Sequence, residues 1–276
     1  MAYQSALINV MTQAAFKAAR GLQRDFGEVE QLQVSRKGPA DFVSQADRRA
    51  DKILREELLK ARPDFGIVIE ESGESNVRPD GPKWIVDPLD GTTNFLHGIP
   101  HFAISIAAEQ YGEIVAAIVY EPIGDQLYWA DKGRGCYLNE RRLRVSARRN
   151  LADCVFATGI PFKGRVGHDR FSHILSTIMP QVAGIRRFGA ASLDLAYVAA
   201  GRYDGFWEEG LQPWDIAAGM FLIKEAGGIV TDIRGSDKML ETGGIVAANL
   251  AMHAPLHKLV AQGIRAAKQQ LRQETG

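Results

Sequence analysis

Cysteine is scarce. The 276 residues contain two, Cys136 and Cys154, which lie far apart and match no CxxC or other metal-binding spacing, so a disulfide framework and a zinc site are both excluded. A reducing cytoplasm is the compartment such usage predicts. Long apolar runs are missing too: no stretch approaches the roughly 20 apolar residues of a membrane span. The opening MAYQSALINVMTQAAFKAAR has no basic leader ahead of an apolar block and reads as an amphipathic helix, not a signal peptide. Neither sign of charge is in excess, with 33 Lys and Arg against 33 Asp and Glu, so no global field favours nucleic acid or an anionic membrane. There is no internal repeat, no low-complexity segment and no linker at which to divide the chain, so residues 1–276 read as one domain.

What is present is a globular composition, 46% apolar and 24% charged, enough to bury a sizeable core. Leu7, Val10, Met11, Ala14, Ala15 and Ala18 fall on one helical face, as do Ala46, Ala50, Ile53, Leu54, Leu58 and Ala61, so two helices open the chain. Pro63 and Gly66 end the second. The apolar run from Gly66 to Ile69 reads as a short buried strand whose exit carries Glu70, Glu71 and Ser72. Residues 73–83, rich in Gly, Pro, Asn and charge, read as a loop before a strand at Trp84, Ile85 and Val86 that ends at Asp87. FAISIAAEQ, EIVAAIVYEP and DQLYWADK read as strands joined by turns at Tyr111-Gly112 and Ile123-Gly124, an antiparallel meander. The first half, 1–150, is therefore α+β. In 151–276, apolar runs at Cys154–Ala157, Gly205–Trp207 and Gly228–Val230 alternate with helical patterns at 190–200, 214–226 and 253–271, an α/β arrangement. A layered sheet-and-helix sandwich accommodates both halves.

The chemistry concentrates in Trp84-Ile-Val-Asp-Pro-Leu-Asp-Gly-Thr-Thr-Asn-Phe95. An apolar strand delivers Asp87 to a turn set by Pro88, and Asp90 follows three residues later, so the two carboxylates can converge beyond the strand end. Such a pair suits a hard cation: magnesium takes oxygen ligands and keeps several waters, so two or three carboxylates suffice if substrate supplies the remainder. Gly91 permits close backbone approach, and Thr92-Thr93-Asn94 can start a short helix whose free N–H groups cradle a phosphate. Read alone, Asp87 and Asp90 could equally cap turns, Glu70 could be a solvated strand end, and Asp215 in Trp214-Asp-Ile-Ala-Ala-Gly219 could be a helix cap.

Together these segments resemble the inositol monophosphatase family over nearly the whole chain. The resemblance rests on WIVDPLDGTTNF at Trp84–Phe95, on WDxAAG at Trp214–Gly219, and on three flanking pieces in the same order: Lys37-Gly-Pro-Ala-Asp-Phe-Val-Ser-Gln-Ala-Asp47, Ile69-Glu-Glu-Ser72 and Gly189-Ala-Ala-Ser-Leu-Asp194. Residues 193–206 are most similar to its bacterial SuhB branch. The resemblance implies an α-β-α-β-α sandwich with a mainly antiparallel N-terminal sheet and a smaller mixed C-terminal sheet. It implies hydrolysis of inositol monophosphate with magnesium, lithium sensitivity and a homodimer. One magnesium would be held by Glu70, Asp87 and the carbonyl of Leu89, a second by Asp87, Asp90 and Asp215, and a third, weaker ion would lie beside Glu70. Glu70 and Thr92 would orient the attacking water, with Asp47 helping to align Thr92. The N–H groups of Gly91 and Thr92 would bind phosphate, and Asp90, the backbone of Ala191 and Glu208 would bind the sugar-like hydroxyls. For Glu208 the residues alone suggest an exposed acidic strand end instead.

One departure stands out: many relatives carry Ser after the glycine of the Gly189 loop, whereas this chain has Ala190 and places its hydroxyl at Ser192. Thr93 followed by Asn94 favours the inositol branch over relatives acting on nucleotide or histidinol phosphates, and leaves fructose 1,6-bisphosphate open as a substrate. The SuhB likeness also allows a role as a protein partner in ribosomal RNA transcription, for which the basic run Arg141-Arg-Leu-Arg-Val-Ser-Ala-Arg-Arg149 is the relevant feature. That run reads equally as the charged edge of a hairpin. With no net positive charge, direct RNA binding has little electrostatic support.

Overall fold

The computed structural model describes residues 4–32, 39–161 and 166–275, so Lys37 and Gly38 of the first flanking motif lie outside the described residues. The chain opens with helices α1 (Ala6–Leu32) and α2 (Pro39–Ala61). Their facing stripes bury Ile8, Met11, Ala14, Ala15 and Ala18 on α1 and Ala46, Ala50, Leu54 and Leu58 on α2. The frequent alanines bring the two helices close together, and both lie on one face of the first sheet. That sheet follows as β1 (Gly66–Ile69), β2 (Gly73–Ser75), β3 (Lys83–Asp90), β4 (Ala103–Gln110), β5 (Glu113–Glu121), β6 (Gln126–Asp131), β7 (Gly135–Leu138) and β8 (Arg141–Leu143), with a short helix α3 (Thr92–Leu96) between β3 and β4.

The second half supplies β9 (Val155–Thr158), α4 (His168–Ile178), β10 (Gly184–Arg186), α5 (Ala191–Ala199), β11 (Gly205–Glu208), α6 (Pro213–Glu225), β12 (Ile229–Thr231), α7 (Met239–Thr242), β13 (Ile245–Ala248) and α8 (His253–Thr275). Among the described residues the strands form an eight-stranded sheet in the order β2-β1-β3-β4-β5-β6-β7-β8 and a five-stranded sheet in the order β10-β9-β11-β13-β12. The first is antiparallel except where β1 meets β3, and the second mixes parallel and antiparallel pairs. Helices α5 and α6 fill the space between the sheets, which explains why they are apolar all round: Ile216 to Ile223 are buried without a break. A Cβ at Gly219 would stand 2.4 Å from that of Leu195, so glycine is what lets α6 lie against α5. Helices α4 and α8 cover the far face of the second sheet. The order is helix, sheet, helix, sheet, helix, as the resemblance implies.

Two local expectations need correction. The segment 73–83 is not all loop, because Gly73–Ser75 pairs antiparallel with β1 through its backbone while its side chains stay polar at the sheet edge. Nor does the strand through Trp84 stop at Asp87: β3 runs on to Asp90, and its register with β4 shifts between those two residues. Pro88 has no N–H to give to the ladder, and Leu89 turns its N–H to Asp87 Oδ1 at 2.9 Å, so the strand absorbs both as an irregularity.

The two strands that deliver the second half of the site are clamped from within. Buried Thr158 at the end of β9 donates its hydroxyl to the Trp207 carbonyl of β11 at 2.7 Å. Thr158→Val keeps the shape and removes that bond, so the expected loss is about 0.5–1.5 kcal/mol of unfolding free energy in urea with an unchanged slope. Stability equal to the parent would show that the clamp contributes nothing.

Candidate active site

A pocket of about 230 Å³ opens where both sheets and the starts of three helices meet. The exit of β1 gives it Glu70, the irregular end of β3 gives Asp87, Leu89 and Asp90, and the start of α3 gives Gly91 and Thr92. From the second half come Ala191 at the start of α5, Glu208 at the end of β11 and Asp215 in the first turn of α6. Nine of the ten residues singled out in the sequence therefore share one wall. Asp47 does not line it and lies buried on α2, its charge acting on Asp87. Glu208 is half-buried rather than an exposed strand end, and its neighbour Glu209 pairs with Arg170 at 2.8 Å.

Gly91 is required twice over. Its φ of 95° is left-handed, and a Cβ there would stand 2.9 Å from the carbonyl oxygen of His101. Buried Asn94 then fixes the short helix by donating to His101 O at 2.7 Å and to Phe188 O at 2.8 Å, which ties it to the loop that reaches the pocket at Gly189. Sequence reading placed Asn94 only at a helix start; its role as a tie depends on a partner 94 residues away and left no local signal.

Three acids are each held by a backbone N–H. Asp87 Oδ1 accepts from Leu89, Asp90 Oδ2 from Ser192 at 2.7 Å, and Asp215 Oδ2 from Gln212 at 2.7 Å. The last bond is half of a capping box, so Asp215 is both a helix-start residue and a pocket residue. The displaced hydroxyl noted in the sequence also has a place: Ser192 Oγ donates to Asp90 Oδ2 at 2.5 Å. Thr92 Oγ1 donates to the Leu89 carbonyl at 3.0 Å rather than to Asp47, whose Oδ1 has no hydrogen-bond partner among the described residues.

Crowding and burial dominate the electrostatics. Asp87 is driven well above the usual carboxylate range by burial first, then by the charges of Glu70, Asp90, Asp215 and Asp47. Burial and Asp215 lift Asp90 to about 7 against the opposing pull of its two bonds from Ser192. Burial, Glu71, Glu70 and Asp51 lift Asp47 to about 8. All the charges acting on Asp87 are thus negative. Arg187 and Asp194, which sequence reading did not single out, also line the pocket, with Arg187 drawing the buried Asp194 downward against a larger rise from burial.

Hard oxygen donors under mutual repulsion are the donor set a divalent cation such as magnesium requires, so the residues fit that metal. Among the described residues, no three His, Cys, Asp or Glu side chains have their ligating atoms drawn together tightly enough to hold an ion as they stand.

The sequence matches the inositol monophosphatase family model over residues 3–269. It is 58% identical over 261 residues to an inositol-1-monophosphatase of Rhizobium meliloti (strain 1021), covering 95% of this chain and 98% of that one. It is 43% identical to the Nus factor SuhB of Escherichia coli (strain K12), covering 88% and 91%. Among solved structures, the native extragenic suppressor protein suhB of Bartonella henselae superposes with a TM-score of 0.86 at 56% identity over 93% of this chain and 98% of that one. An IMPase of Thermotoga maritima superposes at 0.80 with 32% identity over 92% and 96%.

The raised acids set the sign of the pH dependence. Their folded pKa values lie above the unfolded value of about 3.9, so between about pH 4 and 8 the folded chain binds more protons than the unfolded chain and stability falls as pH rises. In EDTA the melting temperature should therefore drop from pH 5 to pH 8. Asp87→Asn, which keeps the volume and removes the charge, should flatten that slope and gain about 0.5–2 kcal/mol at the upper end. A slope of the opposite sign in the parent would contradict the assignment.

Proposed function

The chain belongs to the inositol monophosphatase family, and from that membership we propose that it hydrolyses myo-inositol 1-phosphate and related inositol monophosphates to inositol and phosphate with magnesium. The observation that supports the reading is the pocket itself, which gathers the carboxylates of Glu70, Asp87, Asp90 and Asp215 beside the glycine-led start of α3. Glu70, Asp87 and the Leu89 carbonyl would hold one magnesium; Asp87, Asp90 and Asp215 would hold a second; Glu70 would adjoin a third. When bound, these ions supply Lewis acidity at the phosphoryl oxygens and lower the pKa of water toward neutrality.

The chain's own groups do the rest. The N–H groups of Gly91 and Thr92 donate to phosphate oxygens, which need donors aimed at charge that builds during transfer. Glu70 and Thr92 orient the attacking water, whose oxygen bonds to phosphorus as the bond to the inositol oxygen breaks; the proton the water loses passes to solvent and the departing oxygen takes one up from solvent, giving inositol and phosphate. The Ala191 backbone, Asp90 and Glu208 receive the inositol hydroxyls. Residues 1–276 act as one domain in this reading, supported by the shared helical layer between the sheets. A homodimer in a reducing cytoplasm and inhibition by lithium at a magnesium position complete it, on the family resemblance.

A second reading is supported by relatives that bear the name Nus factor SuhB. It makes the chain a protein partner in ribosomal RNA transcription. The basic run does not favour it: Arg141–Leu143 is β8, the last strand of the large sheet, and Arg148 pairs with buried Asp204 at 3.2 Å. That is the charged hairpin edge which discourages strand addition. Retention of RNA polymerase accessory factors in a pull-down is the result this reading requires.

Phosphate release from a panel containing inositol 1-phosphate, fructose 1,6-bisphosphate, nucleotides and p-nitrophenyl phosphate tests the main reading. Turnover should be greatest on inositol phosphate, vanish in EDTA and return with magnesium; full turnover after metal removal would sink it. Glu208→Ala should lower kcat/KM for inositol phosphate roughly 10- to 100-fold more than for p-nitrophenyl phosphate, the worth of one charge-assisted hydrogen bond. Equal losses on both would mean that Glu208 acts through the metals or the fold.

A further inference from the structure

Strands β9 and β11 run parallel and adjacent, with Thr158 in register with Trp207. Gly159, the first residue beyond β9, therefore stands beside Glu208, the last residue of β11. Side chains of residues adjacent in register project from the same face of a sheet, so whatever stands at 159 shares its space with the Glu208 side chain. At Gly159 nothing stands there, and the carboxylate fills the room. A Cβ built on Gly159 would lie 1.9 Å from Oε1, 2.1 Å from Cδ and 2.3 Å from Oε2 of Glu208, whereas real Cβ atoms essentially never come within 3.0 Å of a neighbour.

The three nearest atoms to that position all belong to Glu208, and Gly159 has no left-handed φ to demand glycine on its own account. The conflict is therefore between a side chain at 159 and the far end of one flexible side chain. Glu208 also stands on the partition between two cavities. One is the acidic pocket; the other, of about 180 Å³, is lined by Ile160, Pro161, Phe171 and Trp207. Gly159, Ile160 and Glu208 belong to both walls. A carboxylate lifted off Gly159 has to turn away from its present place on that partition.

We propose that Gly159 is the positioning residue for polyol recognition: its missing side chain is the bed on which the Glu208 carboxylate lies at the pocket wall, within reach of a substrate hydroxyl. This rests on the reading of Glu208 as a hydroxyl acceptor and adds the residue that determines where that acceptor stands. Gly159→Ala then acts as a remote deletion of the Glu208 carboxylate. The backbone conformation admits alanine, and the carboxylate moves instead of the chain.

A double-mutant cycle over the parent, Gly159→Ala, Glu208→Ala and the pair tests this, with kcat and KM measured on inositol 1-phosphate and on p-nitrophenyl phosphate. The ratio of kcat/KM for the two substrates should fall roughly 10- to 100-fold in Gly159→Ala, match the fall in Glu208→Ala, and fall no further in the pair, because both changes remove the same hydrogen bond. If Glu208→Ala shifts the ratio and Gly159→Ala does not, the inference is overturned while the role of Glu208 stands. If Glu208→Ala itself leaves the ratio unmoved, that role fails and the inference falls with it. Additive losses, or equal losses on both substrates in Gly159→Ala, would place the effect of Gly159 elsewhere and overturn the proposal. Stability gives an independent check: in the pair the methyl takes the space the carboxylate vacated, so it should melt with Glu208→Ala alone. A pair that melts well below Glu208→Ala would locate the conflict in the backbone and also overturn it.

Discussion

Repulsion among buried carboxylates is the constraint on which the rest of this structure depends. Asp87 lies at the centre of it, 2% exposed and surrounded by the charges of Glu70, Asp90, Asp215 and Asp47. Left to itself such a group would protonate or open to water, because desolvation and like charge both penalise the ionised form. It is held together by a scaffold whose stability comes from elsewhere. Two sheets and three helical layers bury their apolar surface in three clusters, and the acids sit where sheet ends and helix starts converge.

The means of holding them is the same in three cases. A backbone N–H grips one oxygen of Asp87, of Asp90 and of Asp215, and each grip is itself the product of an irregularity in a regular element. For Asp87 it is the register shift around Pro88, for Asp90 the entry into α5, and for Asp215 the capping box of α6. Backbone donors stabilise a carboxylate without bringing a counter-charge that would compete with a cation. The arrangement therefore keeps negative potential in the pocket while fixing where its sources stand. At the other end of the pocket the Glu208 carboxylate lies in the room left by the missing side chain of Gly159.

Much of this was legible from residues alone. The 3.6-residue spacing of alanines and leucines gave α1 and α2, and the apolar runs ending in acids gave β1 and β3 together with Glu70, Asp87 and Asp90. What escaped notice was of two kinds. Short polar β2 pairs through its backbone alone, and four-residue β13 is defined by its pairing with β11 and β12. The other kind is long-range: the bonds from Ser192 to Asp90 and from Asn94 to Phe188, and the contact of Gly159 with Glu208, join positions far apart in sequence. No window along the chain contains both members of such a pair. The family motifs located the pocket residues as a set, but the tie from Thr92 went to Leu89 and not to Asp47, a choice made by which acceptor the short helix brings within reach.

If cation binding is what relieves the carboxylate repulsion, it has to displace the protons that repulsion retains. Asp90 near 7 and Asp47 near 8, with Asp87 also raised, hold protons at neutral pH that a divalent ion would expel from its ligands and weaken on their neighbours. Isothermal titration of magnesium into the protein, near neutral pH and in buffers of different ionisation enthalpy, counts those protons directly. The account predicts net proton release per chain, growing as the pH is lowered from about 8 to about 6 because more of the acids are then protonated before binding. Magnesium binding with no proton release across that range would contradict it.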